Sequence, residues 1–329
     1  MKLLNDLVSL EKASELIHDN RILIIAGEET LLNQLPAGNW IGGTIPYFMS
    51  ENGGLLDKSK VFVNDLTDII EDYSIQVYDE TSIASMVKNN YANGFSYMLI
   101  PGFSDILSKY SLIAQEMPGI YDVPLIGWVT GIDLSDLGNK TPQIIDGKSL
   151  RQEGNMAVVL HAKLPENQLA KMEIINIFKQ GEGDEISFES EGFLQKDCLV
   201  NGTKTNLAEY IEEKGLDTKL PLVADYSGAM INISFQQINK EDNTVLFYAP
   251  LRTNTVYKLA APVTNYVEAF NEVIPADGQV VSSCNCILNY LYSELEGKKT
   301  GQMKGPFTFG EIAYILVNQT MVYLLFLDE

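Results

Sequence analysis

The apolar residues of this chain fall in short runs broken by glycine, proline or asparagine, and this pattern constrains the fold most. Residues 21–26 form one such run, which is rich in β-branched side chains and is closed by Gly27. Residues 96–100, closed by Pro101, and residues 124–130 repeat the pattern. Runs of this kind are typical of buried strands. Because segments with helical spacing lie between them, the sequence predicts a layered α/β protein.

Helical spacing of apolar residues predicts where the helices lie. Residues 5–18 and 105–116 carry this spacing, and residues 81–91 follow polar side chains that could cap a helix. Residues 165–180 are also predicted to be helical. A further helix is predicted at residues 287–295, directly after a short strand.

The length of the chain predicts more than one domain. At 329 residues it exceeds the range in which a single hydrophobic core usually keeps growing. We predict one domain over residues 1–150 and a second over residues 151–329. The second half alternates apolar and polar residues at 229–237 and 244–248, which is typical of half-buried antiparallel strands. The predicted class is therefore α/β (α+β), with a largely antiparallel sheet in the C-terminal domain and no visible short-period repeat.

The charge of the chain argues against two classes of partner. The formal net charge is −21, and the only arginines are Arg21, Arg151 and Arg252. Such a chain repels phosphate backbones, so we expect no nucleic-acid partner. An anionic membrane surface is disfavoured for the same reason.

Three features of the sequence predict a cytoplasmic protein. Residues 1–6 do not begin a basic segment followed by an apolar stretch, as a secretory leader would. The apolar run at residues 321–327 is too short to span a membrane. The three cysteines, Cys198, Cys284 and Cys286, are too few to suggest a disulfide framework.

Familiar catalytic signatures are missing from the sequence. It contains no phosphate-binding loop, dinucleotide fingerprint, zinc-protease helix or nucleophile elbow, and its two histidines lie far apart. The most reactive-looking cluster is Cys284-Asn285-Cys286, where a strand is predicted to enter a helix. A helix N-terminus lowers the pKa of a thiol, but the favoured interpretation of the two cysteines is that they are small buried packing residues. A single C-x-C pair is a weak metal signal, and we predict neither a metal nor a cofactor.

Arg252 is the most interesting charged residue because it follows a predicted strand in an acidic, arginine-poor chain. A guanidinium at a strand end could hold a carboxylate through two hydrogen bonds. The carboxylate could belong to a ligand or to a neighbouring glutamate.

The C-terminal segments 305–312 and 317–321 resemble the end of the FIST (F-box and intracellular signal transduction) family, whose members are bacterial ligand-sensing modules. Residues 281–284 resemble that family's strand ending in a cysteine. Residues 40–44 resemble its N-terminal strand with a small-residue turn. The resemblance implies a sensory and signal-transduction module that binds a small molecule, such as an amino acid, and acts on a signalling protein.

Our leading hypothesis is therefore a small-ligand-binding module without catalytic activity, for amino acids or small carboxylates. The candidate ligand-binding residues are Arg252, Cys284, Asn285, Glu311, Asn318, Gln319 and Thr320, of which the last four supply hydrogen-bond donors and acceptors near the start of the last strand. The polar residues among them could instead attach the final hairpin to its sheet. One alternative is an enzyme that uses Cys284 as nucleophile and Glu311 as acid or base. Another is a protein-interaction scaffold.

Overall fold

The computed structural model of the chain describes residues 4–226, 228–274 and 279–328. Its α-helices within these residues are Leu10–His18 (α1), Glu29–Leu32 (α2), Asp105–Ile113 (α3), Leu207–Lys214 (α4), Tyr266–Val273 (α5) and Ile287–Tyr292 (α6). Short 3-10 helices lie at Ile83–Asn89, Ala114–Glu116 and Leu134–Asp136.

The strands in the first half are Asn5–Val8 (β1), Leu23–Gly27 (β2), Trp40–Thr44 (β3), Tyr47–Ser50 (β4), Gly53–Leu56 (β5), Val61–Asp65 (β6), Asp72–Tyr78 (β7), Gly94–Pro101 (β8), Leu125–Thr130 (β9), Ile144–Asp146 (β10), Arg151–Glu153 (β11) and Ala157–Lys163 (β12). Those that follow are Gln168–Ile175 (β13), Ile186–Ser187 (β14), Gly192–Gln195 (β15), Asp197–Val200 (β16), Thr203–Asn206 (β17), Leu222–Tyr226 (β18), Ala229–Ile233 (β19), Phe235–Asn239 (β20), Thr244–Leu251 (β21), Tyr257–Leu259 (β22), Gln279–Cys286 (β23), Gly305–Thr308 (β24), Glu311–Ala313 (β25), Ile315–Val317 (β26) and Met321–Asp328 (β27).

Three sheets share one plan. Sheet 1 has the order β1-β6-β2-β3-β10-β11, sheet 2 the order β7-β12-β8-β9-β25-β26 and sheet 3 the order β13-β27-β23-β24-β4-β5. In each sheet the central pair is parallel and the neighbouring pairs are antiparallel. The two strands of each parallel pair are connected by a segment that contains one α-helix, namely α2, α3 or α6. The chain therefore repeats one strand–helix–strand unit three times.

Each repeat sends a hairpin into another repeat's sheet. The hairpin β4–β5 follows β3 of sheet 1 but pairs in sheet 3. The hairpin β10–β11 follows β9 of sheet 2 but pairs in sheet 1, and β25–β26 follows β24 of sheet 3 but pairs in sheet 2. This cyclic exchange holds the three sheets together around a shared core, to which Ile41, Trp128 and Phe307 contribute.

The predicted fold class is confirmed, since the chain is a layered α/β structure with 42% strand and 18% helix. Two further sheets are wholly antiparallel: sheet 4, with the order β17-β16-β14-β22-β18-β19, and sheet 5, with the order β15-β21-β20. They form an insertion between β13 and α5. Sheets 1, 2 and 3 all take strands from both sides of residue 150. The division into domains 1–150 and 151–329 stays a prediction.

Residues 165–180 are not helical, contrary to the prediction. Gln168–Ile175 forms an edge strand, β13, which pairs antiparallel with β27 along its whole length. Pairing with the apolar C-terminal strand outweighs the local helical spacing. None of the helices in the described part of the chain combines the length and apolar character needed to span a bilayer.

The parallel pairs of the three sheets end at equivalent buried threonines, namely Thr44, Thr130 and Thr308. Backbone hydrogen bonds connect these strand ends. The amide of Gly131 donates to the carbonyl oxygen of Thr44 at 2.7 Å, and the amide of Phe309 donates to that of Val129 at 3.1 Å. The carboxyl ends of the three pairs therefore meet at one end of the molecule.

Candidate ligand-binding site

A cleft opens where the parallel pair β8 and β9 ends and sheet 5 faces helix α3. Its volume is about 290 Å³. Phe103 closes the side next to β8, Ser108 of α3 lies at another side, and Phe247 and Tyr248 of β21 form the opposite wall. We call it the outer cleft. The carboxyl ends of parallel strands are where α/β proteins commonly bind ligands.

A smaller cavity, which we call the inner recess, adjoins the outer cleft. It holds about 50 Å³, and Phe103, Tyr248 and Phe309 line both cavities. Its remaining wall includes Leu288 of α6 and Asn318. Among the described residues that line either cavity, none carries a charge. The two cavities therefore share an aromatic wall and are mostly apolar.

Phe103 has an unusual backbone at the junction of the two cavities. Its φ angle is +60°, a left-handed conformation that bulky residues rarely adopt. Its side chain is 57% exposed, and its ring lies 5.6 Å from that of Phe309 at an interplanar angle of 67°. The next residue, Ser104, caps α3 by accepting a hydrogen bond from the amide of Leu107. Strained backbone of this kind concentrates at functional sites.

Asn318 lines the inner recess and carries a buried, unpaired donor. The residue is only 1% exposed. Its Oδ1 accepts a hydrogen bond from the amide of Ser234 at 2.9 Å, which fixes the orientation of the side-chain amide. The Nδ2 group has no partner within the described residues. A buried N–H group without a partner costs free energy, which a ligand acceptor would recover.

Glu311 is a buried acid behind the recess. It is 0% exposed, and its carboxylate accepts hydrogen bonds from the hydroxyl of Thr320 at 2.7 Å and from the Thr320 amide at 3.3 Å. In the described part of the chain it forms no salt bridge. Burial raises the pKa of Glu311 to about 8. Its side chain is therefore mostly protonated at neutral pH.

Cys284 and Cys286 lie beside Glu311 and are both buried. The thiol of Cys284 is placed to donate to the carbonyl oxygen of Gly127 at 3.5 Å. Burial, followed by the nearby Glu311 carboxylate, raises the pKa of both thiols well above the usual range. A cysteine nucleophile needs the opposite shift, because the thiolate is the reactive form.

Comparison with protein families assigns the chain. The sequence profile of one family, described as "Family of unknown function (DUF6976)", matches residues 8–326 of the chain. The chain belongs to this family. The FIST assignment is therefore wrong: the short C-terminal resemblance does not extend to the family of the whole chain. No curated protein matches the DUF6976 chain.

Most of the predicted site residues of this DUF6976 protein lie in one connected, buried region. Thr320 bonds to Glu311, and Asn289 donates both to Asn285 at 2.9 Å and to the carbonyl oxygen of Thr320 at 3.4 Å. Cys284 and Cys286 adjoin Glu311, while Asn318 and Gln319 both bond to Ser234 of the insertion. Of the seven predicted residues, Asn318 is the one that lines the inner recess.

Arg252 is held elsewhere by protein groups. Its guanidinium donates to the carbonyl oxygen of Ser111 at 2.8 Å and to that of Leu112 at 3.1 Å, and it forms an ion pair with Glu191 at 3.0 Å. Ser111 and Leu112 lie in the last turn of α3, where a cation interacts favourably with the free carbonyl groups. Of the two carboxylate partners considered for Arg252, a ligand or a neighbouring glutamate, the glutamate is the one that it contacts. Arg252 therefore connects the insertion to α3.

Replacing Arg252 with alanine should lower the free energy of unfolding by about 1.5–3 kcal/mol, because several charge-assisted hydrogen bonds are lost. Urea unfolding followed by circular dichroism measures this. Arg151→Ala is the matched control, since the Arg151 side chain is half exposed and pairs with the partly exposed Glu153. Equal stability of the Arg252 variant and the control would contradict a structural role for Arg252.

The sequence did not reveal the aromatic residues of the site. Phe103, Tyr248 and Phe309 come from three distant parts of the chain and meet only through the fold. Phe103 carried one usable signal, since it stands between Pro101-Gly102 and the helix cap Ser104, in a turn where a large exposed apolar residue is unusual.

Proposed function

We propose that this chain is a binding protein for a small uncharged molecule, which occupies the outer cleft and reaches into the inner recess. The observation that carries the proposal is the unpaired Nδ2 group of Asn318 at the inner recess, next to an apolar cleft of about 290 Å³. An apolar cavity with a few placed polar groups is the usual form of a small-molecule site.

The charge of the site favours an uncharged ligand over the carboxylates expected from the sequence. The residues around both cavities are neutral, and the net charge of the chain is −21. An anion would enter this negative field without a cation to offset it. Arg252, on which the carboxylate expectation depended, is occupied by α3 and Glu191.

Binding is also better supported than thiol catalysis. Buried thiols with raised pKa values offer little thiolate at neutral pH. An exposed apolar rim is formed by Phe103, Leu137 and Leu291. Such a rim would suit a protein-interaction scaffold, and it suits the entrance of a ligand site equally well. A sensory role with a signalling partner and a cytoplasmic location stay predictions.

A thermal-shift screen tests the proposed function. Neutral, mostly apolar compounds at millimolar concentration should raise the melting temperature, because a ligand that binds only the folded state stabilises it. Ser108→Trp, which narrows the outer cleft, should abolish the shifts. Lys109→Trp, at an exposed neighbouring position outside the cavity lining, should retain them. If no compound produces a shift that depends on Ser108, the proposed site is wrong.

A further inference from the structure

The walls of the site are unusually rich in aromatic rings. Phe193, Phe247 and Tyr248 come from sheet 5, while Phe103 and Phe309 come from the strand ends. Phe103 and Phe309 already contact one another edge to face. Aromatic side chains hold flat rings by offset stacking and by edge-to-face contacts. This lining therefore favours a planar ring over a flexible chain.

The polar groups of the site favour a ligand with a hydrogen-bond acceptor. Asn318 presents only its Nδ2 donor, because its Oδ1 is already bonded to Ser234. Tyr248 supplies a second possible donor, since burial raises the pKa of its hydroxyl to about 12 and the group stays protonated. Both residues line the inner recess. A carbonyl oxygen matches this arrangement, whereas a donor group would leave Asn318 without a partner.

We infer that the ligand is an uncharged, planar ring compound whose carbonyl or ring-acceptor atom enters the inner recess and binds Asn318 Nδ2. The inference rests on the proposed function and adds the chemical class of the ligand. The ring lies in the outer cleft among the phenylalanines. The acceptor points inward, because the recess of about 50 Å³ has room for a small group but not for a ring system.

Four bicyclic probes test each part of this inference on the unmodified protein. They are 1-indanone, which has a flat ring and a carbonyl; indane, which lacks the carbonyl; the saturated ketone hydrindanone, which is not flat; and the anion indane-1-carboxylate. Titration calorimetry should show 1-indanone binding about tenfold more tightly than indane, as one additional buried hydrogen bond allows. It should bind about fivefold more tightly than hydrindanone. The carboxylate should bind most weakly.

The outcomes separate this inference from the proposed function. If none of the probes binds while the thermal-shift screen finds other ligands whose binding depends on Ser108, this inference is wrong and the proposed function stands. If indane equals 1-indanone, the site binds ligands but the role of the acceptor is wrong. If hydrindanone equals 1-indanone, the preference for a planar ring is wrong.

Two variants locate the donor. Asn318→Leu should abolish the preference for 1-indanone over indane while indane still binds. Gln236→Leu removes the carboxamide that lines the outer cleft and should keep the tenfold preference. If Gln236→Leu abolishes the preference instead, the donor has been assigned to the wrong residue. Should Asn318→Leu fail to fold, the ranking of probes on the unmodified protein still decides.

Discussion

Replacing Glu311 with glutamine should stabilise the protein at pH 8 by roughly 3–5 kcal/mol and leave its stability at pH 5 nearly unchanged. Burial raises the pKa of Glu311 in the folded protein to about 8, against an ordinary value of 4.5. Between these values the folded protein keeps a proton that the unfolded chain has lost. The wild-type free energy of unfolding therefore falls as pH rises through this window, by about 1.4 kcal/mol per pH unit. Glutamine resembles the protonated acid at every pH and removes this slope.

Urea unfolding of the wild type and of Glu311→Gln at several pH values between 5 and 8 measures this effect. The difference in stability between variant and wild type should grow steadily with pH, and other titrating groups cancel in that difference. Glu241→Gln, at an exposed position, is the control and should track the wild type. A difference that stays constant with pH would show that Glu311 is already ionised in the folded protein.

Gly127→Ala should lower the free energy of unfolding by about 3 kcal/mol or more. This value is the upper end of the usual cost of overpacking a core. Gly127 lies in β9 near the middle of sheet 2, opposite Met98 of β8. A Cβ atom at Gly127 would lie 1.9 Å from the carbonyl oxygen of Met98, so the backbone of one strand must move. The shift would also disturb Cys284, whose thiol faces the Gly127 carbonyl group.

Gly183→Ala is a matched control for this substitution, because the space around its Cβ position is open to 4 Å. The control should unfold at nearly the wild-type urea concentration. If Gly127→Ala behaves like the control, the two strands are not as close as described.

The local parts of the fold could be predicted, because they depend on neighbouring residues. The buried runs at residues 21–26, 96–100 and 124–130 became β2, β8 and β9, and the predicted helix at 105–116 contains α3. The apolar spacing predicts a helix over residues 5–18, but residues 5–8 pair with β6 as strand β1. Such errors arise where a distant partner strand decides the conformation.

The threefold plan and the site could not be predicted for a related reason. Each hairpin pairs with a strand that lies far away in the sequence, and no local pattern records that pairing. Asn318 and Glu311 could be predicted as candidates, because they are hydrogen-bonding residues close to the last strand in the sequence. Their neighbours Phe103 and Tyr248 look like ordinary apolar residues until the chain has folded.

The exchange of hairpins among the sheets has a consequence for synthesis on the ribosome. The hairpin β4–β5 emerges early, yet its partner β24 is among the last segments to be translated. The nascent chain must therefore carry an apolar hairpin with an open edge for most of its elongation. Exposed edges of this kind invite pairing between chains, so molecular chaperones that cover nascent apolar segments would matter more for this protein than for one built from consecutive units.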